Sequence, residues 1–450
     1  MKAVLACLVL AALSLLLAGA PSYDPMAWLV WGREIAHLDL STVDGPSWKP
    51  LPVAFTTVFS LFGGAAPALW LVVARAGTLL GGLLAYRIAA RLAGTAAGVI
   101  AVAALVLSRG WFWSNWIGYS EGILIALVLW AIDRHLEGRY RQALAIGFFA
   151  TLLRAEAWPF VAAYAVWLWF REPATRRLSL GLAVLVPALW LIPELIGSGD
   201  ALRAAGRARE PTMGSGVPAL AAHPALALLD SATDAVILPV VIGFVLALAR
   251  PRPRPGVDRI TLALGAGAIA WIGVVAGMTQ AGYSGNPRYL IAPVGIACVV
   301  AGVGFARAGG ALLGRLRLPT ALIGGASVLV IAAASLPWAV PRIDAMRAAA
   351  PGVAHEASLQ RDLPHAVAVA GGSERLLACR PLSTQRYATP RVAWVLHQHL
   401  GDVQPLAGSS GVVIQARRSR GQPWLPAAPH GRYLILGQTH IWRVASTCRR

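Results

Sequence analysis

The run AVLACLVLAALSLLLAGA (residues 3–20) stands two residues ahead of YDPMAWLVWGREIAHLDLSTVDGPSWKP (residues 23–50), and together they decide the fold class. The first is uncharged, apolar and long enough to cross a hydrocarbon core of roughly 30 Å. The second gathers Asp24, Glu34, Asp39, Asp44 and Lys49, with Trp28, Trp31 and Trp48 between them, in a chain otherwise poor in charge. A charged, tryptophan-rich stretch directly after an apolar run belongs at the water–lipid boundary.

Similar runs recur outward as far as Val340, and the chain is 57% hydrophobic and 13% charged, with a mean hydropathy of +0.63. No soluble fold buries so much apolar sequence in separate pieces of that length, so the spans must be helices. Beyond the first, they are expected at 67–86, 93–108, 120–133, 142–153, 156–170, 178–197, 234–250, 259–281, 289–306 and 318–340. The expected fold class is therefore an α-helical polytopic membrane protein of about eleven transmembrane helices, with a small C-terminal α/β domain. Residues 1–340 form the membrane domain and 341–450 the extracytoplasmic domain. Leu51–Phe62, bounded by prolines and Gly63-Gly64, is too short to cross and reads as a juxtamembrane segment. Ala18-Gly19-Ala20 resembles a signal-peptidase site, but the run is read here as a retained first span.

A formal charge of +19 invites a nucleic-acid reading, which the distribution excludes. The arginines gather in the alternate loops Arg87–Gly94, Arg134–Arg141, Arg171–Arg177, Arg250–Arg259 and Arg307–Arg317. The loops between them carry Arg109, Arg154 and Arg288 as their lone basic residues, while 198–233 is long enough to cross despite its arginines. That asymmetry orients a plasma-membrane protein with its N-terminus in the cytoplasm and its C-terminus outside. Arg154 and Glu156 split a long apolar run, and a tight outer turn keeps that pair from the middle of the membrane.

In the tail, strands are expected at Leu376–Cys379, Val412–Ala416, Tyr433–Leu436 and Thr439–Ser446, with a helix over Thr389–Leu400. Cys379 and Cys448 lie in this outer segment and suit a disulfide. Cys7 and Cys298 sit inside apolar spans as small core hydrophobes. No nucleotide-binding glycine motif occurs.

This topology brings polar residues from separate segments to one membrane face. Besides the acids already named, they are Asn115, Tyr119, Glu121, Arg154, Glu156, Trp158, Tyr283, Asn286, Arg288 and Tyr289. Charges at the edge of the hydrocarbon are costly unless paired, so their convergence points to a site. Each also has a plainer explanation. Asp24 before Pro25 can cap a helix, as can Glu121 at the head of its span. Arg154 and Glu156 can pair across their turn, Arg288 can snorkel, and the tryptophans can form an aromatic belt. His37 lacks metal-like partners, and Glu34, Asp39 and Asp44 read as a solvated helix face.

Several of these features together resemble the glycosyltransferase-C superfold, membrane enzymes that use polyprenyl-phosphate-linked sugars, such as mannosyl-, aminoarabinose and arabinosyltransferases. They are Tyr23-Asp24-Pro25 just after the first span, Lys49–Pro52 ahead of the juxtamembrane segment, Arg154–Phe160 on an outer turn, the many spans and the external tail. The resemblance implies transfer of a sugar from a polyprenyl-phosphate donor to an acceptor hydroxyl of a glycan, lipid or protein, with inversion, in cell-envelope glycan assembly or glycosylation. It implies Asp24 as base, Lys49, Arg154 and Arg288 around the donor phosphate, and Tyr23, Glu121, Glu156, Trp158, Asn286 and Tyr289 around the substrates. The lipid tail is expected between spans near residues 51–62. Many members carry two adjacent acids after the first span, whereas Asp24 stands between Tyr23 and Pro25; no metal ligand is assigned, and a divalent metal stays open. A secondary transporter would instead place its charges near the midplane of inverted repeats, and a non-catalytic envelope-assembly protein would not need Asp24.

Overall fold

The computed structural model describes residues 2–210, 217–249, 254–313, 319–406, 410–417, 424 and 433–448. The loops expected at 250–259 and 307–317 lie partly outside these. Helix α1 (Lys2–Leu13) leads to two further helices, α2 (Tyr23–Ala36) and α3 (Pro50–Ser60). The bundle then runs through α4 (Ala66–Ala93), α5 (Thr95–Val106), the short α6 (Trp111–Trp116), α7 (Glu121–Leu136), α8 (Tyr140–Thr151), α9 (Trp158–Arg171) and α10 (Arg176–Ser198). It continues with α11 (Arg203–Ala208), α12 (Pro224–Ala235), α13 (Leu238–Ala249), α14 (Pro255–Gln280), α15 (Ile291–Leu313) and α16 (Thr320–Val369).

A helix stands at every crossing that the hydropathy pattern marks. Among the described residues, five helices are long and apolar enough to cross a membrane by themselves, or six if α12 and α13, bent by 95° at their junction, count as one span. The protein is thus a multi-pass membrane protein. Prolines open α3, α4, α9, α12 and α14, where a missing N–H costs nothing.

Helix α15 is the buried centre, packed on α5, α13 and α14. Small residues let it approach its neighbours: a Cβ on Gly304 would strike the Gly243 carbonyl of α13, and one on Gly302 would strike the Ala97 carbonyl of α5. Close backbone approach is how membrane helices gain packing energy when lipid is as apolar as the side chains. Helix α2 meets α3 in the same way, with Gly32 against Thr56 and the Thr56 hydroxyl donating to Trp28 O at 2.6 Å.

The boundary placed at 340 falls inside α16, which runs unbroken for 50 residues out of the bundle into a C-terminal domain, called the outer domain after the side of the membrane that the loop charges predict for it. That domain adds α17 (Gly372–Leu377), β1 (Leu382–Thr384), α18 (Thr389–Val395), β2 (Val403–Pro405), β3 (Val412–Ala416), β4 (Leu434–Gln438) and β5 (Trp442–Ser446). The sheet order is β2-β1-β3-β5-β4. β1 is parallel to β2 and β3, and β5 is antiparallel to β3 and β4. Trp442 anchors the sheet on α16, with its indole N–H donating to Leu359 O at 3.0 Å.

Two expectations for this domain need correction. Leu376–Cys379 is not a strand: Leu376 and Leu377 end α17, and the first strand begins after Pro381. The helix expected to reach Leu400 stops at Val395, because the chain turns at His397, whose φ is +55°. Cys379 and Cys448 do form a disulfide, tying the last described residue to the start of the sheet across 69 residues. Cys448→Ser should destabilise the outer domain by about 2–4 kcal/mol, read as faster proteolysis of that domain while the bundle stays protected.

Candidate active site

Asp24 sits in the first turn of α2, whose N-cap is Ser22, so its carboxylate is not used as a cap. It accepts a 2.8 Å hydrogen bond from Arg288 Nη2 instead, and only 8% of the residue is exposed. Arg288 comes from the short 3-10 turn ahead of α15, shaped by Asn286, whose side-chain oxygen accepts the Arg288 N–H at 3.2 Å. The guanidinium also lies 4.4 Å from the Tyr119 ring. Arg288 is therefore held from two sides rather than snorkelling.

A second pair stands beside it. Arg154, on the turn between α8 and α9, bonds to Glu121 at the start of α7. The Glu121 side chain is fully buried, and Arg154 lies 4.4 Å over the Tyr289 ring. The pairing open to Arg154 and Glu156 is thus made with Glu121. Glu156 is buried two residues beyond Arg154. Trp158 turns away, packing against Trp190 at 5.8 Å and donating to Thr151 O.

Lys49 is the third cation here, and it is buried. Its Nζ reaches Ser120 Oγ at 3.4 Å and lies 5.0 Å from the Trp28 ring; among the described residues no carboxylate forms an ion pair with it. Burial, reinforced by the Arg154 guanidinium, pushes this ammonium down to about 7 against the pull of Glu121.

Asp24, Lys49, Arg154 and Arg288 line one cavity of about 510 Å³, with Tyr23, Asn286 and Tyr289 in its wall. Glu121 supports Arg154 from behind that wall. The cavity also draws on residues that the sequence reading passed over: Arg207 and Glu210 from the long loop after α10, and Gln385, Arg386 and Tyr387 from the outer domain. Five basic side chains against two acids favour an anionic guest. Arg207 and Glu210 face each other at 2.6 Å. The arginines of the 198–233 loop were a weak cue, whereas nothing in the sequence near residue 385 marks that segment for a site whose carboxylate, Asp24, stands 361 positions upstream.

Glu34 corrects the expectation of a solvated face. It is buried, accepting the Ser41 N–H at 3.0 Å and lying 2.9 Å from His399 Nδ1 of the outer domain, while Asp39 and Asp44 are exposed. No group of three or more His, Cys, Asp or Glu side chains among the described residues can hold a metal ion. The Asp24 carboxylate is engaged instead by the Arg288 guanidinium.

Removing one partner of a buried ion pair leaves a charge uncompensated. Glu121→Gln should therefore lower stability by about 3–5 kcal/mol, seen as a drop in the thermal midpoint in detergent. Replacing both partners, Glu121→Leu with Arg154→Met, should recover most of that loss.

No protein-family model matches the sequence, and no curated protein matches it. Solved structures do match. The chain is similar to the crystal structure of ArnT from Cupriavidus metallidurans bound to undecaprenyl phosphate, with a TM-score of 0.54 and 15% identity over 99% of this chain and 97% of that one. The apo structure of the same protein aligns with a TM-score of 0.52 and 16% identity over the same shares. At that identity the likeness speaks for architecture, and it extends from the first span through the outer domain. The chain has the glycosyltransferase-C fold that its sequence resembles.

Proposed function

We propose that this protein is a membrane glycosyltransferase that moves a sugar from a polyprenyl-phosphate donor to an acceptor hydroxyl at the outer face of the membrane. Its setting is cell-envelope glycan assembly or glycosylation. The observation that carries the reading is the shared cavity in which Asp24 stands beside Lys49, Arg154 and Arg288. The likeness to an ArnT bound to undecaprenyl phosphate supports the choice of donor.

The acceptor oxygen attacks the anomeric carbon and its proton passes to the Asp24 carboxylate. The bond from that carbon to the phosphate oxygen breaks, and polyprenyl phosphate leaves with the electron pair. Attack opposite the phosphate inverts the anomeric centre. Negative charge grows on the departing phosphate, so preorganised cations stabilise the transition state more than the ground state. Arg154 and Arg288 present guanidinium forks suited to phosphate oxygens, and Lys49 adds a compact charge that no carboxylate offsets by direct contact. Arg288 has a second task, orienting Asp24. Tyr23, Asn286 and Tyr289 form the walls against the sugar. Glu121 and Glu156 act through Arg154 rather than by touching substrate, and Trp158 steadies the α8–α9 turn.

Two measurements test this. With purified protein and a polyprenyl-phosphate sugar, Asp24→Asn should lower turnover by roughly 10²–10⁴ while donor binding persists. Full turnover in that variant would remove Asp24 as the base, and failure to bind any lipid-linked sugar would remove the enzyme reading. The second concerns pH. Lys49 is charged below about 7 and neutral above it, and the donor phosphodiester keeps its single charge throughout. Donor affinity should fall as pH rises through neutrality, and Lys49→Arg, which stays charged, should flatten that dependence.

A further inference from the structure

Lysine is scarce in this chain: of the 39 Lys and Arg residues only Lys2 and Lys49 are lysines. An arginine fork holds phosphate oxygens at least as well, and Arg154 and Arg288 already line the cavity. What a lysine adds is a proton that it can give up, which arginine cannot do in a protein. The surroundings of Lys49 suit that use. Its backbone is fixed on both sides, by the Trp48 indole donating to Leu189 O at 3.1 Å and the Leu51 N–H donating to Leu152 O at 3.2 Å. The side chain is thereby held in the cavity, with the residue 6% exposed. One N–H reaches the Ser120 hydroxyl at 3.4 Å, and among the described residues Nζ makes no other hydrogen bond. The nearby carboxylates are engaged elsewhere, Asp24 by Arg288 and Glu121 by Arg154. Burial beside like charges, without a counter-ion in contact, favours the neutral amine. The resulting value of about 7 lies close to the value of about 6 at which a phosphate monoester takes up its second proton.

We propose that Lys49 is the general acid of the reaction, handing a proton to the phosphate oxygen that departs from the anomeric carbon. The inference rests on the transferase reading and adds a proton transfer to it. As the bond from the anomeric carbon breaks, the oxygen keeps the electron pair and takes a proton from Nζ. Polyprenyl phosphate then forms as a monoanion, Lys49 is neutral, and Asp24 holds the proton of the acceptor hydroxyl. Asp24 releases that proton and Lys49 regains one, so both groups return to their starting states. The sum moves the acceptor's proton onto the phosphate. The transfer also eases release. An unprotonated product is a dianion, which three cations at close range would hold more tightly than the singly charged donor. A monoanion beside a neutral amine is held less tightly. A buried lysine brought near neutrality serves both needs, because proton transfer is most effective when the donor's value lies near the working pH.

The test uses the full-length protein with undecaprenyl-phosphate-linked mannose, aminoarabinose and arabinose, in an envelope extract that supplies the acceptor. The donor turned over fastest is compared with its phosphorothioate, in which sulfur replaces a non-bridging oxygen. The phosphorothioate product is the stronger acid and needs a proton less. Lys49→Arg keeps the charge but cannot give up a proton. It should bind the phosphodiester donor as well as the wild type does, while its turnover falls about a hundredfold. That deficit should shrink with the phosphorothioate. Full turnover in Lys49→Arg would overturn the inference, as would an equal deficit with both donors, which marks a positioning group instead. If Lys49→Arg no longer binds donor, the wild-type pH profile decides. Lys49 acts only when charged, so turnover at saturating donor should fall as pH rises, less steeply with the phosphorothioate. An identical alkaline fall with both donors would overturn the inference. A wild-type protein that transfers no sugar refutes the transferase reading, whereas transfer without any alkaline fall refutes the proton transfer alone.

Discussion

Two ion pairs at the end of the bundle nearest the C-terminal domain, the largely covered Asp24–Arg288 and the buried Glu121–Arg154, set the terms for everything around them. Charges at that depth are tolerable only when matched. Their four partners come from α2, α7, the α8–α9 turn and the turn before α15, so satisfying the charges forces these elements to converge. The same requirement leaves Asp24 paired with a cation rather than spent on a helix end. Lys49 enters as the odd charge, without a carboxylate in direct contact, and makes the cavity receptive to an anion.

The outer domain belongs to this arrangement rather than hanging from it. It grips α2 near both ends: Arg391 reaches Pro21 O at 3.5 Å while pairing with Glu356 of α16. At the other end Arg33 donates to Trp394 O and Gln398 O, and His399 sits against Glu34. Helix α2 carries Asp24, so whatever seats the domain also seats the carboxylate. The unbroken α16 gives the domain a rigid stem, and the residues after β1 become part of the cavity wall.

Much of the candidate site was legible from local chemistry. An acid in the first turn of a helix after a span, an arginine and two acids interrupting apolar runs, and a lysine ahead of Pro50 are each costly in place, and cost is readable from one segment at a time. What could not be read was which charge answers which. Arg154 lies two residues from Glu156 but bonds to Glu121, because Glu121 and Arg154 open and close facing ends of α7 and α8. Glu34 looked like part of a wet helix face until His399, 365 positions away, covered it. The error over Leu376–Cys379 has the same origin: a short apolar run suits a strand or the end of a helix equally well.

Hydrophobic periodicity and charge placement alone determined that this is a helical membrane protein, roughly where its helices lie, and which residues gather at one face. Those properties follow from the free energy of moving each segment between water and lipid, which depends on that segment's composition. Tertiary structure alone decided the pairings and the share of the cavity wall supplied by the outer domain. These depend on distances between residues far apart in the chain, and transfer energies are blind to them. The opening stretch, residues 23–50, supplies an acid and a lysine to the site, but their partners were chosen by the packing of the bundle.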